Sequence, residues 1–278
     1  MVPIRMFAPL LTSRQWLNCL KLLLGAAGLL ILLSPASVRG TVFDWPSSGW
    51  TAGVPAPGQT VTQSFTSVTP NDITVSINNN GASNQGATWQ TGYPAIDSTT
   101  STGGFNGTNG LQLFVIQQSS TSSYIRTTVT FNTPVINLSF QIWDVDAFSG
   151  QFADKISNIQ AIAAGGTTVG PDSVTSAVAG YNTITGTGLS TIVLGTANAA
   201  NSTNQGTIDI SFAGPITQFS FDWSNNDPAL GAQAIALGPL TYTVVPEMSA
   251  GWAVALLCSI AIAAREIGRR RTAHCARQ

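Results

Sequence analysis

Between residues 73 and 223, five separate stretches alternate in polarity with apolar residues at every second position, Thr127 being the one exception: 73–77 (ITVSI), 124–131 (YIRTTVTF), 138–142 (LSFQI), 207–212 (TIDISF) and 219–223 (FSFDW). Successive side chains of a strand point to opposite faces. Each stretch therefore directs β-branched and aromatic residues to one side and polar residues to the other, as a strand half-buried against a core requires. Residues 111–116 (LQLFVI), 191–194 (TIVL) and 235–244 (IALGPLTYTV) add further apolar runs. No window between residues 41 and 245 carries a helical period. Turn chemistry punctuates the runs at 78–81 (NNNG), 106–110 (NGTNG), Gly165-Gly166 and Gly170-Pro171. Eight or more strands without helices predict an all-β fold, a two-sheet sandwich of jelly-roll type.

An internal echo refines this expectation. Residues 129–140 (VTFNTPVINLSF) lie on 210–221 (ISFAGPITQFSF) without a gap, at an offset of 81. Each copy reads as a strand ending on Phe, a turn closed by Pro134 or Pro215, and a second strand ending on Ser-Phe. Proline has no N–H to give to a ladder, so the pattern predicts two equivalent strand pairs, each bent at its proline. Two copies are too few for a solenoid or propeller.

Charge is partitioned along the chain. Nine of the eleven basic residues fall before residue 41 or after residue 264. Residues 41–245 carry ten aspartates against Arg126 and Lys155, a net charge of −8, with no Glu, His or Cys. Thiol and imidazole catalysis, Cys/His zinc sites and disulfides are thereby excluded from this region. Serine nucleophiles have no histidine partner there. A surface with two cations repels phosphate backbones, which excludes nucleic acid as a partner.

The ends differ in kind. Arg5, Arg14 and Lys21 precede the twelve-residue apolar run 22–33, which is followed by 34–40 (SPASVRG). That order is the layout of a signal peptide for the Sec translocon, expected to be cut after Gly40 or, as second choice, after Ala36; an uncleaved N-terminal anchor is the alternative. At the other end, 248–264 is seventeen residues without a charge. As a helix this run is about 25 Å long, enough for a thin or compressed bilayer. Arg265, Arg269, Arg270 and Arg271 follow and stop transfer on the cytoplasmic side. Three segments result: a signal peptide at 1–40, an ectodomain at 41–243 and a tail at 244–278.

The tail carries a resemblance. Val245-Pro246-Glu247, a short apolar helix and a terminal arginine cluster resemble the PEP-CTERM sorting signal of Gram-negative bacteria. Here valine stands at the first motif position, Glu266 interrupts the cluster, and seven residues follow it. The resemblance implies an inner-membrane intermediate that an exosortase, an integral membrane peptidase, recognises and cleaves near the motif. It also implies delivery to the cell surface or extracellular matrix, commonly beside exopolysaccharide. Independently, Pro246 keeps the approach to the membrane extended and open to a protease. An ordinary anchor that is never cut is the alternative. The segment 140–146 (FQIWDVD) with Asp154 is also loosely similar to the β-sandwich ectodomains often found upstream of such tails, a likeness that specifies no activity.

Two candidate ligand sites stand out in the ectodomain. Asp144 and Asp146, two apart at a strand end, project to one side, with Asp154 returning from the next loop and Asp222 or Asp227 completing the group. Calcium takes six to eight oxygens in flexible geometry, which such carboxylates and loop carbonyls can supply; turn-capping by the same aspartates is the reading of slightly greater weight, because the spacing lacks the glycine and terminal glutamate of a helical calcium loop. Trp45 and Trp50, in FDWPSSGW, are expected on an exposed loop where indoles stack on sugar rings. Trp143 and Trp223 continue strand alternation and are expected in the core. Glycoside hydrolysis needs two carboxyls across a cleft with one raised pKa, and nothing in the sequence indicates a cleft. The reading is therefore a non-enzymatic surface or matrix protein, with a carbohydrate-binding module, possible calcium dependence included, as its alternative.

Overall fold

The computed structural model describes residues 40–69, 72–81, 86–97, 108–118, 123–200 and 203–245. The expected signal peptide, the apolar tail, Pro246, Glu247 and the arginine cluster lie outside them. Among the described residues no helix is long and apolar enough to cross a membrane.

The fold is all-β. Its strands are β1 (Gly40–Phe43), β2 (Thr60–Phe65), β3 (Ile73–Asn80), β4 (Thr88–Trp89), β5 (Ala95–Asp97), β6 (Gly110–Gln117), β7 (Tyr124–Trp143) and β8 (Ala147–Phe148). They continue with β9 (Phe152–Ala163), β10 (Thr168–Val169), β11 (Ser173–Ser176), β12 (Asn182–Thr185), β13 (Ile192–Gly195), β14 (Ile208–Phe212), β15 (Ile216–Asn225) and β16 (Gln233–Val244). A short 3-10 turn, Gly188–Ser190, is the only helical element among the described residues. All pairings are antiparallel.

β7 organises the sheet by changing neighbours along its length. Its first half, from Tyr124 to Phe131, lies between β3 and β15. Its second half, from Val135 to Trp143, lies between β14 and β16. Beyond β15 the first group continues through β9 and β13 to β12, and beyond β16 the second continues to β6 and β1. Rings from the two groups meet in the core: Phe140 stacks on Phe219 with centroids 4.4 Å apart. A large antiparallel sheet whose long strand changes partners at a bend is consistent with a β-sandwich.

The echo behaves differently from expectation. Its copies are not two separate strand pairs; they pair with each other, Val129 opposite Phe219 at one end and Phe140 opposite Ile210 at the other. Nor does Pro134 end a strand, since it sits inside β7 where the ladder jumps from Thr130↔Gln218 to Val135↔Ile216. Four β7 residues stand against one on β15 there, Phe131 keeping its pairing with Ile73 on β3, so at Pro134 the missing N–H breaks no ladder bond. The second copy is interrupted at Pro215, between β14 and β15.

β9 was not apparent in the pattern. It buries Asp154 and Ile156, then Ile159 and Ala161, so its inward phase slips by one residue. Asn158, with φ of 49°, is the cause. The ladder to β15 passes from Ser157↔Asp222 to Gln160↔Ser220, which leaves an extra residue on β9, a bulge in a conformation that Asn tolerates.

Candidate functional site

The expected calcium ligands separate into two groups. Asp144, Asp146 and Asp154 lie at the end of β7 and the start of β9, and all three are buried. Asp154 and Asp146 hold one another: the Asp154 N–H donates to the Asp146 carbonyl at 2.8 Å, and the Asp146 N–H donates to Asp154 Oδ2 at 3.2 Å. Asp154 Oδ1 accepts the indole N–H of Trp223 at 2.7 Å, and Asp146 Oδ2 accepts the Ala199 N–H at 2.7 Å. These carboxylates tie the β7–β9 corner to β15 and to the loop after β13. Asp144 differs. It adopts φ of 64°, and its buried Oδ1 has no hydrogen-bond partner among the described residues.

Backbone packs tightly around this corner. A Cβ on Gly195 would stand 2.0 Å from the Asp146 carbonyl oxygen, and one on Gly206 would stand 3.0 Å from Asp144 Cα. The Val145 N–H donates to the Gly206 carbonyl at 2.9 Å, and Asn182 Nδ2 donates to the Val145 carbonyl. Removal from water disfavours the ionised carboxylates. Burial, then the charge of Asp146, pushes the Asp144 carboxyl up to about 8. Burial raises Asp146 to about 6 against the pull of the Ala199 N–H. Asp154 is raised well above the usual carboxylate range, chiefly by burial and next by the charge of Asp146.

Asp222 is not brought to this group. On β15 it faces away from Trp223, its immediate neighbour, and so away from Asp154. Its Oδ1 accepts Arg126 Nε at 2.6 Å; its Oδ2 accepts Arg126 Nη2 at 2.8 Å and Asn158 Nδ2 at 2.7 Å. Asp222 thus links β7, β15 and the β9 bulge. Asp227 accepts the Ala229 N–H at 2.8 Å, as turn chemistry requires. Among the described residues no group of three or more His, Cys, Asp or Glu is arranged to hold a metal ion.

The expected exposure of Trp45 is corrected. It is 1% exposed, packed edge-on against Phe43 and Phe65 at 5.1 and 5.6 Å, with its indole N–H on the Gly238 carbonyl at 2.8 Å. Pro46 and the following Ser-Ser-Gly do form a turn, but the aromatic pair Phe43 and Phe65 captures the indole beside it. Trp50 is half-buried against Phe65, its indole N–H closed onto Gly53. Trp223 is buried in the core, as strand alternation suggested; Trp143 is buried too, but on the face of Ser139 and Gln141 and outside the main core cluster, because the alternation that turns Phe140 and Ile142 inward turns it outward. Sequence reasoning missed a groove of about 380 Å³ on the outward face of β11, β14, β7 and β16. The outward residues of alternating strands were the available signal, but which strands lie side by side was not legible.

The chain matches no family model, no curated protein and no solved structure.

Proposed function

We propose that this chain is an exported, non-enzymatic surface or extracellular-matrix protein of a Gram-negative bacterium. In this reading it passes the Sec translocon, pauses in the inner membrane by its tail, and is cut by an exosortase-like peptidase near Val245-Pro246-Glu247. The ectodomain is a two-sheet sandwich of jelly-roll type with β7 shared between its sheets.

The observation that carries the reading is the position of the two ends. Gly40 stands directly opposite Thr243 in the β1–β16 ladder. Antiparallel partners are about 4.5–5.5 Å apart, so the chain enters and leaves the folded body at one point. Both apolar segments can then reach the same membrane without unravelling a strand. The Val245 N–H donates to the Pro134 carbonyl at 2.9 Å, so the folded body runs up to the first residue of the motif. Calcium would enter as a ligand of Asp144, Asp146 and Asp154 by displacing the protons that their burial retains.

Mass spectrometry of the mature protein from native cells tests the processing step. A C-terminus close to Val245 supports it, whereas surface protein retaining Gln278 overturns it. A reporter fused within the ectodomain that stays cytoplasmic overturns export itself.

A second reading, a carbohydrate-binding surface module with exopolysaccharide as partner, is favoured by one specific observation, the polar groove across β11, β14, β7 and β16.

A further inference from the structure

The outward face of four adjacent strands carries a row of hydroxyls. Ser173 on β11 is opposite Ser211 on β14, Ser211 is opposite Ser139 on β7, and Ser139 is opposite Thr241 on β16. Neighbouring strands lie about 4.7–4.9 Å apart, so the four hydroxyls form a line at that repeat. None of the four hydroxyls makes a hydrogen bond among the described residues, although each offers one donor and two acceptor positions. Elsewhere on the surface such groups satisfy one another. On β2 and β3, Thr62 bonds Ser76 at 2.9 Å and Ser64 bonds Thr74 at 3.2 Å.

A second polar line runs beside the first. The Trp143 indole N–H donates to Gln141 Oε1 at 3.1 Å, and Gln141 Nε2 donates to Asp209 Oδ1 at 2.7 Å. Each member fixes the next, and Asp209 Oδ2 remains without a protein partner among the described residues. The starting member is itself immobilised. A Cβ on Gly110 would meet the Trp143 ring at 2.8 Å, and one on Gly238 would meet it at 2.7 Å. At 2% exposed, Trp143 is the end wall of the groove and the orienter of Gln141, not a stacking platform.

Together the two lines bound the cavity of about 380 Å³, within the range of about 300–1,000 Å³ usual for small-molecule sites. Among the described residues its lining includes neither Arg126 nor Lys155, and the one ionisable group there is Asp209. An anionic ligand would meet a carboxylate with no cation to balance it. An apolar ligand would bury unsatisfied hydroxyls and leave their lost hydration uncompensated. A neutral molecule with many hydroxyls suits both constraints, because it donates to Asp209 and exchanges hydrogen bonds with the serines and the threonine.

We propose that this groove binds a neutral glycan segment, with Asp209 as the orienting acceptor and Ser139, Ser211 and Thr241 as the hydroxyl contacts. The proposal rests on the carbohydrate-binding reading and names its site. It moves that site away from Trp45, which is in the core, and from Trp50, which is half-buried with its ring against Phe65.

The test uses the full-length chain in detergent micelles on an array of neutral and acidic oligosaccharides. The variants are Asp209→Asn, Ser139→Val, Trp50→Ala and, as a control on the other polar face, Thr62→Val. Binding of neutral oligosaccharides that falls at least tenfold in both Asp209→Asn and Ser139→Val, and is unchanged in Thr62→Val, establishes the site. Asp209→Asn keeps the acceptor of the Gln141 bond, and a wild-type melting temperature for it shows that the loss is local. If neutral glycans bind but only Trp50→Ala weakens them, the groove is the wrong site while the carbohydrate reading stands. Binding confined to acidic glycans overturns the proposed ligand class. No binding to any glycan overturns both.

Discussion

Arg126 grips Asp222 through two parallel bonds, Nε to Oδ1 at 2.6 Å and Nη2 to Oδ2 at 2.8 Å, from the neighbouring strand of the same sheet. The Asp222 side chain is 2% exposed and that of Arg126 36%. The pair raises the Arg126 guanidinium above its ordinary value, chiefly through the bond to Asp222. Asp222 also holds Asn158, so the same carboxylate secures the bulge that sets the phase of β9.

Replacing Arg126 by Met leaves a buried carboxylate with Asn158 as its remaining side-chain partner. Losing one partner of a fully buried pair costs about 3–5 kcal/mol. Because Arg126 is partly solvated, the expected loss is lower, about 2 kcal/mol. Urea unfolding of the Arg126→Met chain measures it, and an unchanged midpoint refutes the bridging role. Asn158→Gly, which keeps the left-handed backbone but drops the bond to Asp222, is expected to lose less than Arg126→Met.

The aspartate corner predicts a pH dependence of stability. In the folded chain Asp144 holds its proton up to about 8 and Asp146 up to about 6, above the ordinary carboxylate value near ~4. The folded state therefore binds more protons than the unfolded state between those limits. Stability from these groups is fully present below about pH 4 and is lost as pH rises to about 8. In the presence of a chelator, melting temperature should fall between pH 5 and pH 8, by an amount on the order of 5 kcal/mol. Asp144→Asn should flatten the curve. Added calcium that restores the melting temperature at pH 8 in the native chain, but not in Asp144→Asn, would assign the corner to a metal; calcium without effect leaves it as a hydrogen-bonded joint.

Gly195 tests how closely that corner is packed. An alanine methyl would fall 2.0 Å from the Asp146 carbonyl oxygen, which is backbone and cannot swing aside. Forced displacement in a packed interior costs about 1–3 kcal/mol, and Gly195→Ala should lose that much on thermal unfolding. Gly165→Ala, where a Cβ meets nothing within 4 Å, serves as the control and should change stability little.

Trp45 and Trp50 should part company on truncation. Trp45 fills core volume among Phe43 and Phe65, and Trp45→Ala is expected to cost about 3–5 kcal/mol. Trp50→Ala removes a half-buried ring and should cost less than half as much. Equal losses in denaturant unfolding would place the two indoles in equivalent environments, contrary to the packing described above.

Much was legible in the sequence because alternation is a local property. The runs at 73–77, 111–116, 124–131, 207–212, 219–223 and 235–244 each lie within or overlap a strand, and the inward positions they indicated, such as Ile73, Val129, Phe221 and Trp223, are buried. The segregation of charge was equally plain, since it needs only a count. What pairs with what is not local. The joining of 124–131 and 138–142 into β7 depends on neighbours that accept a looped-out Pro134, and β9 stayed hidden because the Asn158 bulge shifts its phase. Partner choice then decided the chemistry: Arg126 took Asp222 from the aspartates near Trp143, Phe43 and Phe65 took Trp45 from the surface, and four strands distant in sequence aligned four hydroxyls. A period of two tells each residue which face it occupies, but only the register between strands tells it whom it meets.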